Sequence, residues 1–287
     1  MRLHPSAPLL ALALAACSAG TPHRSPTPAD LALLDRAENA LIAGCMHARG
    51  FVYWPPPPPA ESPPKDFPYV IDDVAWARAH GYGMADQLRI MRAHAANPNT
   101  RYVAALPPDR RRAYTLAMDG SGRADRVLSV RLPSGVTLHR TTDGCTARAK
   151  TRLYRDLNGW FRAEAIIDNI SAEVQPKVRH DPRYTAARSA WSRCMAALHH
   201  PYAGPEEIRA RLGHLSSDPS TEEERETTLA VAEATCAKST GFGAAATALD
   251  REYRTAATDN EKSSFQTRQR LRAAALPRAQ ALLNDHT

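Results

Sequence analysis

Apolar residues recur along this chain at helical spacing far more often than in strict alternation, and the periodic runs are separated by proline, glycine and capping residues. The first run opens at Thr27-Pro28-Ala29-Asp30, an N-cap followed by proline at the first helical position and an acid two residues later. It predicts a helix over about 28–49, with Leu31, Leu34, Leu41 and Cys45 on recurring turns and Gly50 as its stop. Further helices are predicted over 72–80, ended by Gly81, over 107–118, from Cys145 to about Asp156, and over 160–175. Asp181-Pro182 caps a helix to about Leu198, and Pro205 starts a short one ending near Leu215. Ser220-Thr221-Glu222-Glu223 is a capping box that opens a helix through Cys236. Gly241 and Gly243 interrupt that helix, and 244–285 reads as helical with Pro277 as a kink. Only 126–132 and 136–140, flanking Pro133-Ser134-Gly135, read as a hairpin. The predicted fold class is mainly α, bundle-like, with one small β-hairpin.

The N-terminus carries a different pattern. Leu9 to Ala16 is an apolar run of eight residues behind the basic Arg2. A bilayer span needs about 20 such residues, so the run reads as the core of a signal peptide. Leu14-Ala15-Ala16-Cys17 resembles the lipobox of bacterial lipoproteins. That resemblance implies cleavage before Cys17, a diacylglycerol on its thiol and acylation of the new amino terminus, and two or more acyl chains anchor stably where one is marginal. The expected organisation is a signal peptide over 1–16, a lipidated cysteine and tether over 17–27, a helical stretch with a Pro-rich loop and the hairpin over 28–175, and a second helical stretch over 176–287. The expected location is the extracytoplasmic face of a cell membrane, with membrane lipid as partner through acylated Cys17.

The chain has five cysteines. With Cys17 lipidated, four remain, and export places them where thiols pair. Four cysteines allow three connectivities. Sequential pairing, Cys45–Cys145 with Cys194–Cys236, lets each bridge close within its own segment. Ala40 to Met46 is loosely repeated as Ser189 to Met195, and Tyr53 and Tyr202 each stand eight residues after the cysteine. Two readings stay open: two related halves, each a helix stapled to a later one, or chance similarity in an Ala-rich chain. The pattern Cys45-Met46-His47-Ala48-Arg49-Gly50-Phe51, with Gly81-Tyr82-Gly83 and Gly144-Cys145, resembles a loose group of uncharacterised secreted bacterial lipoproteins. The second stretch departs from it at His199-His200, where the first has Gly50-Phe51. The resemblance implies architecture rather than chemistry.

Composition adds a sign. The net charge is +7 and the pI about 9.3, and cleavage would remove only Arg2. Such a balance gives a weak attraction to anionic lipid or cell-wall polymer, although most of these charges read as a solvated face. Catalytic motifs are incomplete. Gly120-Ser121-Gly122 is a turn rather than a nucleophile elbow. Asp119, Ser121, Arg123 and Asp125 put an arginine where a calcium loop needs a ligand and lack the closing Glu. His199-His200 has no third ligand at metal spacing and suits a helix C-terminus. Asp72-Asp73 and Glu222 to Glu224 read as caps. No phosphate loop, dinucleotide fingerprint or basic–aromatic nucleic-acid stretch occurs, so no cofactor, metal or nucleic acid is expected. Pro55 to Pro59, with Pro63 and Pro64, reads as a stiff polyproline loop. Around it stand Tyr53, Trp54, Phe67, Tyr69, Trp76 and Tyr82, either a platform for a peptide or carbohydrate or packing beneath the loop. The function expected is a non-enzymatic binding module for an envelope protein or cell-wall polymer. The alternative is an envelope hydrolase whose site is assembled from scattered residues.

Overall fold

The computed structural model describes residues 25–57, 65–212 and 219–284, without the side chains of 219–223. In chain order the helices of the first part are α1 (Pro28–His47), α2 (Val74–His80), α3 (Met84–Ala96), α4 (Pro98–Ala105) and α5 (Pro108–Asp119). A hairpin follows, β1 (Val127–Arg131) antiparallel to β2 (Thr137–Thr141), with Val127 opposite Thr141 and Arg131 opposite Thr137. Then come α6 (Cys145–Tyr154), α7 (Leu157–Asp168), α8 (Ile170–His180), α9 (Pro182–Ala197), α10 (Pro205–Leu212), α11 (Pro219–Ser239), α12 (Phe242–Asn260) and α13 (Lys262–Asn284). The fold is thus mainly α with one small hairpin, as the periodicity predicts.

Local chemistry explains the boundaries. At α1 the Thr27 hydroxyl accepts from the Asp30 N–H while the Asp30 carboxylate accepts from the Thr27 N–H, so two otherwise orphaned donors are satisfied. Asp73, Asp156 and Asp181 cap α2, α7 and α9 by accepting backbone N–H bonds. Two predicted runs divide. The helix expected over 160–175 breaks at Asn169, whose side-chain amide donates back to the Ala165 carbonyl at 2.8 Å and competes with the helical ladder. The run expected over 244–285 breaks at Glu261, between α12 and α13. Gly241 takes a left-handed conformation and separates α11 from α12, whereas Gly243 lies within α12. A Cβ on Gly243 would meet the Asp72 side chain at 2.4 Å, so that glycine permits a close approach rather than a break.

The core is several clusters sharing one set of helices. Leu34 and Ala37 of α1 pack with Leu153, Trp160 and, from α13, Leu271 and Ala275. Ile42 and Met46 of α1 meet Phe51, Tyr114 and Cys145. Trp191, Tyr184, Met195 and Phe242 centre the cluster between α8, α9, α11 and α12, which also takes Tyr69 and Val70. Each of these large side chains contributes about 2–3 kcal/mol on burial. The clusters draw on residues from both sides of position 175: α13 lies against α1, α6 and α7, and α2 lies against α11.

Two disulfides cross-link the helices. Cys45 near the end of α1 joins Cys145 at the start of α6, and Cys194 of α9 joins Cys236 of α11. The helices bearing the first cysteine of each pair end alike. The Phe51 N–H donates to the Met46 carbonyl and the His200 N–H to the Met195 carbonyl, and the residue before each, Gly50 or His199, is left-handed at φ 75° or 64°. His199 therefore adopts the backbone of Gly50 despite carrying a Cβ.

Candidate functional site

The six aromatics expected around the Pro-rich loop do not form one platform. Tyr53 is half-buried beside the cluster of α1 and α5, and its hydroxyl donates to Asn39 Oδ1 at 2.8 Å. Trp54 is the exposed member and stands edge-on to Tyr102 of α4. Phe67, Trp76 and Tyr82 pack against α11 around Ile71 and Ala77, with Phe67 and Trp76 ring centroids 4.8 Å apart. Tyr69 is buried in the α8–α12 cluster, and its hydroxyl donates to Asp250 Oδ1 at 2.7 Å. Burial together with the Asp250 carboxylate pushes that hydroxyl's pKa up. Five of the six are consumed by packing.

Sequence reasoning passed over what holds the 65–84 segment down. Glu233 of α11 is fully buried. Its carboxylate accepts from the Ile71 N–H at 2.8 Å and the Tyr82 hydroxyl at 2.6 Å, with the Arg209 guanidinium 3.7 Å away. Its backbone carbonyl accepts from the Trp191 indole. Two turns upstream, Glu226 accepts from the Tyr82 N–H at 2.7 Å. Burial raises the Glu233 pKa, with Arg209, Tyr82 and Ile71 working against it. A glutamate in an Ala-rich helix carries no pattern that marks it as buried, so nothing in the sequence singles out Glu233. This arrangement is a latch between segments.

The open chemistry lies elsewhere, where the α1 terminus, the 121–126 loop and α6 meet. A cleft of about 510 Å³ is lined by Arg49, Arg123, Arg126 and Arg148 together with Asp125 and Asp143. A second, of about 670 Å³, runs between Ala40 and Gly44 of α1, with its C-cap Ala48, and Arg148 and Arg152 of α6. Both are lined by Arg49 and Arg148, so the two form one trough. Arg49 is fixed there: one guanidinium nitrogen donates to the Ala117 carbonyl at 2.7 Å and approaches Cys145 Sγ at 3.0 Å. The carboxylates of the trough are already engaged. Asp125 pairs with Arg123 and Arg126. Asp143 accepts from the Ser121 hydroxyl and N–H, which holds its pKa below the usual carboxylate range.

On α6 the contrast is sharp. Lys150, on the buried face, meets both Glu38 at 3.0 Å and Glu164 at 3.1 Å. Arg148 and Arg152, on the outer face, are exposed and have no carboxylate partner among the described residues. Like charges at this i,i+4 spacing repel by a few tenths of a kcal/mol. In the sequence, Arg123 and Asp125 stand out only as part of an incomplete calcium loop. Arg49 and Arg148 come together through chain folding, which no local motif records.

Cys17, the 1–16 leader, most of the tether, Pro58, Pro59, Pro63, Pro64 and the side chains of the 220–223 capping box lie outside the described residues. Among the described residues no group of three or more His, Cys, Asp or Glu side chains is placed to hold a metal ion, and no helix is long and apolar enough to cross a membrane. No protein family, curated protein or solved structure matches the chain.

Proposed function

We propose that the chain is an exported lipoprotein, cut before Cys17 and held by acyl chains on that cysteine at the extracytoplasmic face of a membrane. Its folded body serves as a non-enzymatic binding module for an envelope component. The observation that carries this reading is the pair of disulfides, Cys45–Cys145 and Cys194–Cys236, closed within the helical body. Such bridges persist in oxidising compartments, and a chain reaches those by export. The leader ending Leu14-Ala15-Ala16-Cys17 supplies the matching address. The aromatic side chains are largely spent on packing, which supports the arginine trough over the Pro-rich loop as the binding surface of this reading. The net charge of +7 favours a partner of opposite sign.

Metabolic labelling with palmitate tests the anchor. The wild-type chain should take up label and sediment with membranes, and Cys17→Ala should lose the label and shift toward the soluble fraction. An unlabelled wild-type chain overturns the reading.

A further inference from the structure

The trough over α6 has a chemistry of its own. Arg49 is held by a backbone carbonyl and by the disulfide sulfur, not by an acid. Arg148 and Arg152 extend the same lining without a carboxylate partner among the described residues. The fold supplies two carboxylates to the buried Lys150 of the same helix, so the lack of counter-charge on the outer face is local to that face. A guanidinium presents a planar fork of donors that matches phosphate oxygens two at a time. One fixed fork with two unpaired neighbours offers more donors than a single carboxylate can accept. The opposite wall, Ala40, Leu41, Gly44, Cys45 and Ala48, is apolar and mostly small. It leaves room for the body that carries the anion and competes for none of its hydrogen bonds.

We propose that this trough binds a phosphate-bearing anion, seated between the guanidinium of Arg49 and those of Arg148 and Arg152. The inference rests on reading the body as a binding module and names the chemistry of its ligand. The phosphate can come from a lipid headgroup or from a free phosphate chain, and both present the same oxygens. Binding relieves the repulsion between Arg148 and Arg152 and weakens as salt rises.

The test is calorimetric titration of the full chain in detergent with two soluble probes, tripolyphosphate and glycerophosphoglycerol, the deacylated headgroup of an anionic lipid. Tripolyphosphate should bind at low salt. The double variant Arg148→Ala/Arg152→Ala should weaken it about tenfold or more, because each lost fork removes charge-assisted bonds. Neither side chain has a partner among the described residues, so the variant should keep its far-ultraviolet spectrum and melting temperature. Arg49→Lys, which keeps charge but not the fork, should also weaken binding. Arg92→Ala/Arg101→Ala, an equal charge change away from the trough, should leave it nearly unchanged. Binding of glycerophosphoglycerol as well assigns the site to headgroups, and its failure beside bound tripolyphosphate assigns it to free phosphate. No heat with tripolyphosphate, or equal losses in the two double variants, overturns the proposal. Palmitate label and binding heat are separate readouts, so an inert trough on a labelled protein sinks this inference and leaves the anchor standing.

Discussion

At the scale of single residues, His199 shows how a repeated backbone shape tolerates different side chains. A non-glycine residue in the left-handed region costs about 1–2 kcal/mol, partly offset by the unfolded-state freedom that glycine would bring. His199→Gly should therefore raise stability by about 0.5–1 kcal/mol, and Gly50→Ala should lower it by a similar amount, about 0.5–1 kcal/mol. Guanidinium titration of the two variants checks both signs. Equal effects of the same sign would mean the two helix ends are not equivalent. The parallel was half legible in the sequence. Cys45-Met46 and Cys194-Met195 align, but His199 in place of Gly50 hides the shared turn until the dihedral angles are known.

Among elements, what the sequence reveals depends on how each element is stabilised. Helices whose ends carry a capping, proline or glycine signal are legible: α1, α2, α5, α6 and α9 fall within a few residues of their predicted ranges. α3 was not, because none of its thirteen residues is buried. Met84, Leu88, Ile90 and Met91 stay exposed, so there is no core stripe to detect. α4 follows the Asn97-Pro98 cap, a signal present but passed over. The latch between α11 and the 65–84 segment was illegible, since it depends on one glutamate meeting partners more than 150 residues away. Burial raises the pKa of Glu233, so the folded state holds its proton more tightly than the unfolded chain. The stability linked to that proton is fully present below the unfolded value, about 4.3, and is lost as pH rises through the folded value. Glu233→Gln keeps an acceptor for the Ile71 N–H and cannot ionise. It should flatten the fall of the urea midpoint between pH 4 and 8, and a slope unchanged from wild type would show that Glu233 does not titrate with folding.

For the whole molecule, the interleaving of the cores matters more than the order of helices. α1 packs on α13 and α2 on α11, so neither 28–175 nor 176–287 encloses its own apolar surface. Leu34 and Trp160 on one side face Leu271 and Ala275 on the other. Expressed separately, the two stretches should show no cooperative thermal transition, whereas co-expression restores one. A cooperatively melting 28–175 fragment would show that this interleaving is not needed for stability. Periodicity finds helices, but it does not say which distant helix each one faces, and that is why the pairing of first with last escaped sequence reasoning. The Cys45–Cys145 bond has a mechanical consequence for a body hung from its amino terminus. Tension entering through α1 reaches Cys45 and passes directly across the sulfur bridge to Cys145, bypassing the intervening hundred residues. At up to ~3.6 Å per residue, that shunt keeps roughly 360 Å of contour out of the load path, and the α5 and hairpin region would stay slack under tension from the proposed amino-terminal anchor.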